Sequence, residues 1–337
     1  MKKFFITGGA GFIGTNLTLN LLKDKKNYVV IYDNLSRSGV EKNLEYLQSL
    51  KLKNFEFING DIRDYKKLKE IVKDFDIIYH LAAQVAVTKS VEEPIDDFEI
   101  NATGTLYLLE VIKKNSPDSI LIFSSTNKVY GKLNHLKLKE GEKRYYLVDK
   151  ENGVDENENL DFHSPYGCSK GIADQYVRDY FRIYGLKTVV FRQSCIYGPF
   201  QYGNEDQGWV AHFIIKAIKG EKINIYGNGK QVRDILYISD LIDAYNLTIE
   251  NIERCKGEIF NIGGGVKNTF SLLELIEFLE RKINKRIEYG FFDWRPGDQK
   301  VFISNNKKLE KYTAWKVKID KKTGIEKLIN WIKKNIK

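Results

Sequence analysis

The sequence predicts an α/β protein: a doubly wound parallel sheet followed by a smaller C-terminal α+β domain. Three observations predict it. Short β-rich runs alternate with helical stretches through the first two thirds of the chain, the pattern of a parallel sheet covered by helices on both faces. A glycine-rich turn, Gly8-Gly-Ala-Gly11-Phe-Ile-Gly14, directly follows the first of those runs. After Phe191 the alternation loosens into shorter, mixed elements.

Taken in order, strands are expected over residues 3–7, 28–32, 55–59, 77–81, 120–123 and 188–192, with helices between them at 16–22, 66–72 and 101–113. A helix near 210–219 then gives way to the turn Tyr226-Gly-Asn-Gly-Lys230, a helix near 241–251 and a strand at 258–262. The glycine turn Gly263-Gly-Gly265, a helix at 272–282 and a basic amphipathic stretch at 323–334 complete the chain. Residues 1–194 with 233–260 are read as the sheet domain, and 195–232 with 261–337 as the smaller one. Segment 131–164 has alternating charge and no clear period. A loop that long inside a compact enzyme is expected to be a lid or binding loop, or else a mobile insertion.

Composition narrows the class. The 337 residues are 42% hydrophobic and 29% charged, ordinary for a soluble globular protein. No apolar run approaches the ~18 residues of a spanning helix, and the N-terminus lacks a signal-peptide cleavage site, so a cytoplasmic protein without a membrane partner is expected. Cys168, Cys195 and Cys255 are widely spaced; neither a disulfide framework nor a metal site is expected. The net charge of +9 comes from scattered lysines, so no nucleic-acid partner is expected either. Diphosphate binding is the more natural use for specific positive charge.

The glycine turn follows a strand and opens a helix, which is the context its chemistry requires. The glycines permit a tight turn and close approach of a diphosphate to backbone N–H groups, where the helix N-terminus adds partial positive charge. This is the dinucleotide site of a Rossmann-type sheet. Gly8, Gly11, Phe12, Ile13 and Gly14 are its candidate residues. Asp33 ends the second strand, 19 residues after Gly14, where a carboxylate accepts hydrogen bonds from a ribose and repels a 2′-phosphate. NAD is therefore expected over NADP, although nearby Arg37 is able to meet a phosphate. Asn34, Ser36, Asp61 and Ile62 are candidates for the adenosine side. Leu81, Ala82, Ala83, Gln84, Asn101 and Ser124 are candidates further along the cofactor.

Tyr166-Gly-Cys-Ser-Lys170 opens a predicted helix, and a spacing of four places both side chains on one face. A tyrosine is a poor base at neutral pH; an adjacent ammonium is expected to lower its pKa, so Tyr166 is the candidate base for the hydroxyl proton. Lys170 is expected also to hold the nicotinamide ribose, both residues counting as catalytic and cofactor-binding candidates. Thr126, at the carboxyl end of the fifth strand, is placed to hydrogen-bond a reacting hydroxyl. His80 and His163 are expected to pack or to orient loops.

Residues 7–14, 124–131 and 166–170 together resemble the extended short-chain dehydrogenase/reductase family of nucleotide-sugar enzymes, over nearly the whole chain. The resemblance implies that Arg233 and Arg295 bind diphosphate with Asp298 as partner. Gln84, Thr126, Asn127, Ser194, Cys195, Gln207 and Trp209 are substrate-pocket candidates by position. Asp33-Asn-Leu-Ser-Arg37, Ser125-Thr-Asn-Lys-Val-Tyr-Gly131, residues 161–170 and Asp206-Gln-Gly-Trp209 are similar to the branch that epimerises CDP-hexoses at C2. The family's 4,6-dehydratases carry an Asp-Glu pair after the threonine; Asn127-Lys128 stands there in this chain. The resemblance thus implies transient oxidation of a CDP-sugar, rotation and re-reduction on bound NAD, in a homodimer or homotetramer. A UDP-sugar 4-epimerase and a catalytically silent NAD-binding protein are the alternatives.

Overall fold

Near-continuous runs of branched and aromatic residues suit strands buried on both faces, and the computed structural model, which describes residues 1–336, forms its main sheet from them. Seven parallel strands lie in the order Phe55–Asn59, Tyr28–Asp33, Lys3–Thr7, Ile77–His80, Ile120–Thr126, Lys187–Gln193, Ile259–Ile262. Alternate residues face opposite sides. Phe4 and Ile6 enter one core with Ile31, Ile122 and Phe191, whereas Phe5 enters the other with Val30, Ile78 and Phe123. Chain direction across the sheet reverses between Lys3–Thr7 and Ile77–His80. Such a switch point leaves a crevice at the strands' carboxyl ends.

Three predicted strands run longer than expected and two are one residue shorter, and the helix of the glycine turn begins at Phe12 rather than at residue 16. The larger difference concerns Val232–Tyr237. It pairs with Thr269–Ser271, Val301–Phe302 and Cys195–Tyr197 in a separate sheet, so residues 233–237 lie outside the sheet to which the sequence reading assigned them. All six residues of this strand are buried. Its Arg233 and Asp234 erase the hydrophobic run that would have marked it. The chain then returns: helix Ile238–Glu250 packs on helix Phe12–Leu21, and Ile259–Ile262 becomes the edge strand of the main sheet.

Segment 131–164 carries regular structure of its own. It forms an antiparallel hairpin, Leu138–Glu140 with Tyr145–Leu147, strapped to the smaller domain. Tyr145 N–H donates to the Lys230 carbonyl at 3.0 Å and Val154 N–H to Ile303 at 2.7 Å. Arg144 reaches Thr269 Oγ1 at 2.8 Å, and Ser271 Oγ donates to the Lys143 carbonyl at 2.6 Å. Among the described residues, no helix is long and apolar enough to cross a membrane.

Candidate active site

Gly8 sits at φ +68°, and a Cβ there would lie 2.7 Å from the Ala82 nitrogen. At Gly14 a Cβ would fall 2.6 Å from the Gly8 carbonyl oxygen. Both glycines let the turn and the helix start close against the strand ends. Helix Phe12–Leu21 has Gly11 as N-cap without a side-chain cap, so its first-turn N–H groups are available to an anion. The side chains of Phe12 and Ile13 pack toward the core; only their backbone serves this site.

These residues open onto a cleft of about 1020 Å³ lined by Gly8, Gly11, Asp33, Asn34, Ser36, Arg37, Asp61, Ile62, Leu81, Ala82, Ala83 and Gln84, among others. Asp33 accepts from the Ala10 N–H at 3.0 Å and the Leu35 N–H at 2.9 Å. Burial raises its pKa, opposed by those hydrogen bonds and by the Arg37 charge. The glycine cradle, the uncapped helix start and the Asp33 carboxylate fit a dinucleotide. Asp61 is less free than expected. Arg63 grips both its oxygens and Asn34 donates at 2.9 Å, and the Arg63 hydrogen bonds hold its pKa down at about 2.

Two candidates are spent on structure. Asn101 lies on a π-helical turn, Glu99–Thr103, a local widening often found near functional sites. Its amide donates to the Gln84 carbonyl, Asp97 Oδ1 and Ser169 Oγ at 3.1 Å each, and its oxygen accepts the Gln84 N–H at 3.0 Å. It does not reach the cofactor cleft. Gln84 lines that cleft, but its Nε2 donates to Ala86 and Asp97 and its Oε1 accepts from Ala86. No side-chain donor is left for a ligand.

Asp97, which sequence reasoning missed, is the hub of this network. It is fully buried and accepts Ser169 Oγ at 2.5 Å besides the two amides. In the sequence it is one acid of the pair Asp96-Asp97, with nothing to distinguish it from a surface residue.

Ser164 adopts φ +75°, a conformation costly for a side-chain-bearing residue. Its hydroxyl accepts the Gly167 N–H at 3.2 Å, and Pro165 begins helix Pro165–Tyr184. This start delivers Tyr166, 8% exposed, and Lys170, 3% exposed. Lys170 Nζ donates to the Ser124 carbonyl at 2.7 Å and lies 4.3 Å above the Phe123 ring. Burial lowers its pKa to about 7. Burial pushes the Tyr166 hydroxyl up to about 12; a hydrogen bond with Thr126 and the charge of Arg37 oppose the rise, and Asp97 adds to it. Arg37 is the cation whose charge opposes the rise, while Lys170, one helical turn on from Tyr166, turns its Nζ to the Ser124 carbonyl. His80 bridges Thr7 Oγ1 at 2.8 Å and Thr105 Oγ1 at 2.9 Å, and burial lowers its pKa to about 3.

A second cavity of about 220 Å³ is lined by Lys128, Cys195, Gln207, Trp209, Arg233, Arg295 and Asp298, among others, and shares Asp206 and Gln207 with the cleft. Arg233 donates to Asp298 Oδ1 at 2.6 Å. Arg295 lies 4.0 Å above the Tyr226 ring and donates to the Glu205 carbonyl at 2.9 Å. Asn127 Nδ2 donates to Gln299 Oε1 at 3.2 Å. Ser194 does not join the cavity; its hydroxyl turns to buried Asp234.

The profile of the GDP-mannose 4,6 dehydratase family matches residues 5–328. The chain belongs to this family. It is a Rossmann-fold extended short-chain dehydrogenase/reductase of the nucleotide-sugar epimerase and dehydratase type. The CDP-paratose 2-epimerase of Salmonella typhi is 46% identical over 336 residues, covering 98% of each chain. A putative UDP-glucose 4-epimerase of Methanocaldococcus jannaschii is 37% identical over 98% of each chain. The UDP-glucuronic acid 4-epimerase of Bacillus cereus, solved with UDP-glucuronic acid and NAD, superposes with a TM-score of 0.85 at 29% identity, covering 98% of this chain and 99% of that one.

Proposed function

We propose that the chain is an NAD-dependent isomerase that inverts C2 of a CDP-hexose, converting CDP-paratose to CDP-tyvelose. The observation that carries this reading is the end-to-end 46% identity with the Salmonella typhi 2-epimerase. The residues after Thr126 support an epimerase over a dehydratase. Elimination of water needs an acid–base pair beside the sugar, and Asn127 and Lys128 stand in those places.

Bound NAD supplies the two-electron carrier that oxidises C2 and reduces it again. Tyr166 Oη takes the proton of the C2 hydroxyl and later returns one to the same oxygen. Thr126 Oγ1, at the carboxyl end of its strand, steadies that oxygen. Burial raises the Tyr166 pKa; positive charge from Lys170, one helical turn along the same face, is what brings it towards a working range. Arg233 and Arg295 each present a planar fork to the diphosphate, so the sugar turns, as its 2-keto form, while the nucleotide stays anchored. Asp33 selects NAD over NADP. The enzyme works in the cytoplasm as a homodimer or homotetramer, a state supported by exposed Ile95, Phe98, Ile183 and Tyr184 on helices that pack together.

The M. jannaschii relative favours a second reading, 4-epimerisation of a UDP-sugar. Proton NMR of the product formed from CDP-paratose separates the two. Inversion at C2 is expected; inversion at C4, or turnover of UDP-sugars alone, overturns the first reading.

A further inference from the structure

The substrate cavity holds a cation that the mechanism above leaves unused. Lys128 lies two residues after Thr126 on the 3-10 turn Asn127–Tyr130, and its backbone N–H donates to Thr126 Oγ1 at 3.2 Å. Its side chain is 20% exposed and lines the cavity beside Cys195, Arg233 and Asp298. An ammonium has three donors. This one has two partners, the Gly297 carbonyl and Asp298 Oδ1, each at 3.4 Å. Charge-assisted N–H···O contacts normally close to about 2.7–2.9 Å, so both are loose.

The Asp298 oxygen facing Lys128 is also the one gripped by Arg233 at 2.6 Å. One carboxylate therefore serves two cations, and the arginine takes the short contact. Cys195 offers no second negative charge, because burial raises its thiol pKa. Lys128, when protonated, Arg233 and Asp298 together carry one net positive charge in a place largely withdrawn from water. Of the other lining carboxylates, Asp206 pairs with Arg295 at 3.4 Å and Glu205 accepts from Asn224. Such a charge is costly unless an anion joins it.

We propose that Lys128 binds the sugar-side phosphate of the nucleotide sugar, as a third cation beside Arg233 and Arg295. The choice of phosphate follows from position and chemistry. The reacting C2 is bonded to C1, and C1 carries that phosphate. Thr126 is placed at the reacting hydroxyl, so a cation two residues further along the same turn reaches the phosphate next to it. Arg295, stacked on Tyr226, is left for the nucleoside side. Held by Lys128 and Arg233, the sugar-side phosphate stays fixed while the sugar turns about its C1–O–P linkage, so both faces of C2 are presented without release. This inference rests on the nucleotide-sugar reading of the cavity.

The test is calorimetric titration of the NAD-loaded protein with CDP, CMP and cytidine, for wild type, Lys128→Met and Lys128→Gln. CDP has the sugar-side phosphate and CMP lacks it. Loss of one charge-assisted contact predicts about 10- to 100-fold weaker CDP binding in both variants, with CMP and cytidine unchanged. Retained NAD and an unchanged melting temperature certify the fold; methionine keeps the stem length without the buried charge. Unaltered CDP affinity, or equal losses for CMP and CDP, overturns the assignment. Wild type that binds UDP and not CDP overturns the nucleobase reading instead, and Lys128 is then judged on UDP against UMP. Wild type that binds neither overturns both.

Discussion

Replacing Tyr166 by phenylalanine removes one oxygen from a buried ring and leaves the packing in place. The ring is 8% exposed, so its burial is almost wholly retained. What is lost is a buried hydroxyl, worth about 0.5–1.5 kcal/mol at most where it is hydrogen-bonded. The melting temperature should move by no more than about 2–4 °C. Turnover is another matter. Loss of a positioned acid–base group costs about 10²–10⁴ in rate, or about 3–5 kcal/mol of barrier. The assay is conversion of CDP-paratose followed by proton NMR, with NAD content measured on the same sample after denaturation. Turnover should collapse with NAD content unchanged. A variant that folds, holds NAD and turns over like wild type refutes Tyr166 as the group that moves the proton.

Gly8→Ala places a Cβ 2.7 Å from the Ala82 nitrogen at φ +68°, a change that costs about 2–4 kcal/mol; lower urea resistance and loss of copurified NAD should appear together. Burial holds Lys170 at about 7, below its ordinary 10.5. Between those values the unfolded chain binds the extra proton, so stability rises with pH. NAD-free protein should therefore show a higher urea midpoint at about pH 9 than at about pH 7, and Lys170→Met should flatten that rise. Asp174 and Arg192 form a buried pair at 2.8 Å; Asp174→Asn leaves the guanidinium unpaired and should cost about 3–5 kcal/mol by denaturant titration.

The glycine turn, Asp33 and the Tyr166–Lys170 spacing were legible in the sequence because each is a local pattern. A turn needing positive φ, a carboxylate ending a strand and two side chains one helical turn apart all show without tertiary information. Sequence gives the donors of Gln84 and Asn101 but not who consumes them; Asp97, 13 and 4 positions away, does so, although Gln84 still lines the cleft. The spacing of Tyr166 and Lys170 did not show that Ser124, on a strand far away in sequence, accepts a hydrogen bond from the Lys170 ammonium. Val232–Tyr237 changed sheets unnoticed because Arg233 and Asp234 are buried within it. The hairpin in segment 131–164 is short, and its order comes from Lys230, Ser271 and Ile303, all far along the chain.

On the proposed reading, this cleft oxidises and re-reduces C2 of a CDP-hexose on NAD that never leaves. Purified protein given CDP-paratose and no added cofactor, with the product followed by proton NMR, tests it most directly. CDP-tyvelose, inverted at C2 alone, is expected, with NAD recovered from the denatured enzyme. Inversion at C4, a dehydrated product, or a requirement for added NADP contradicts it.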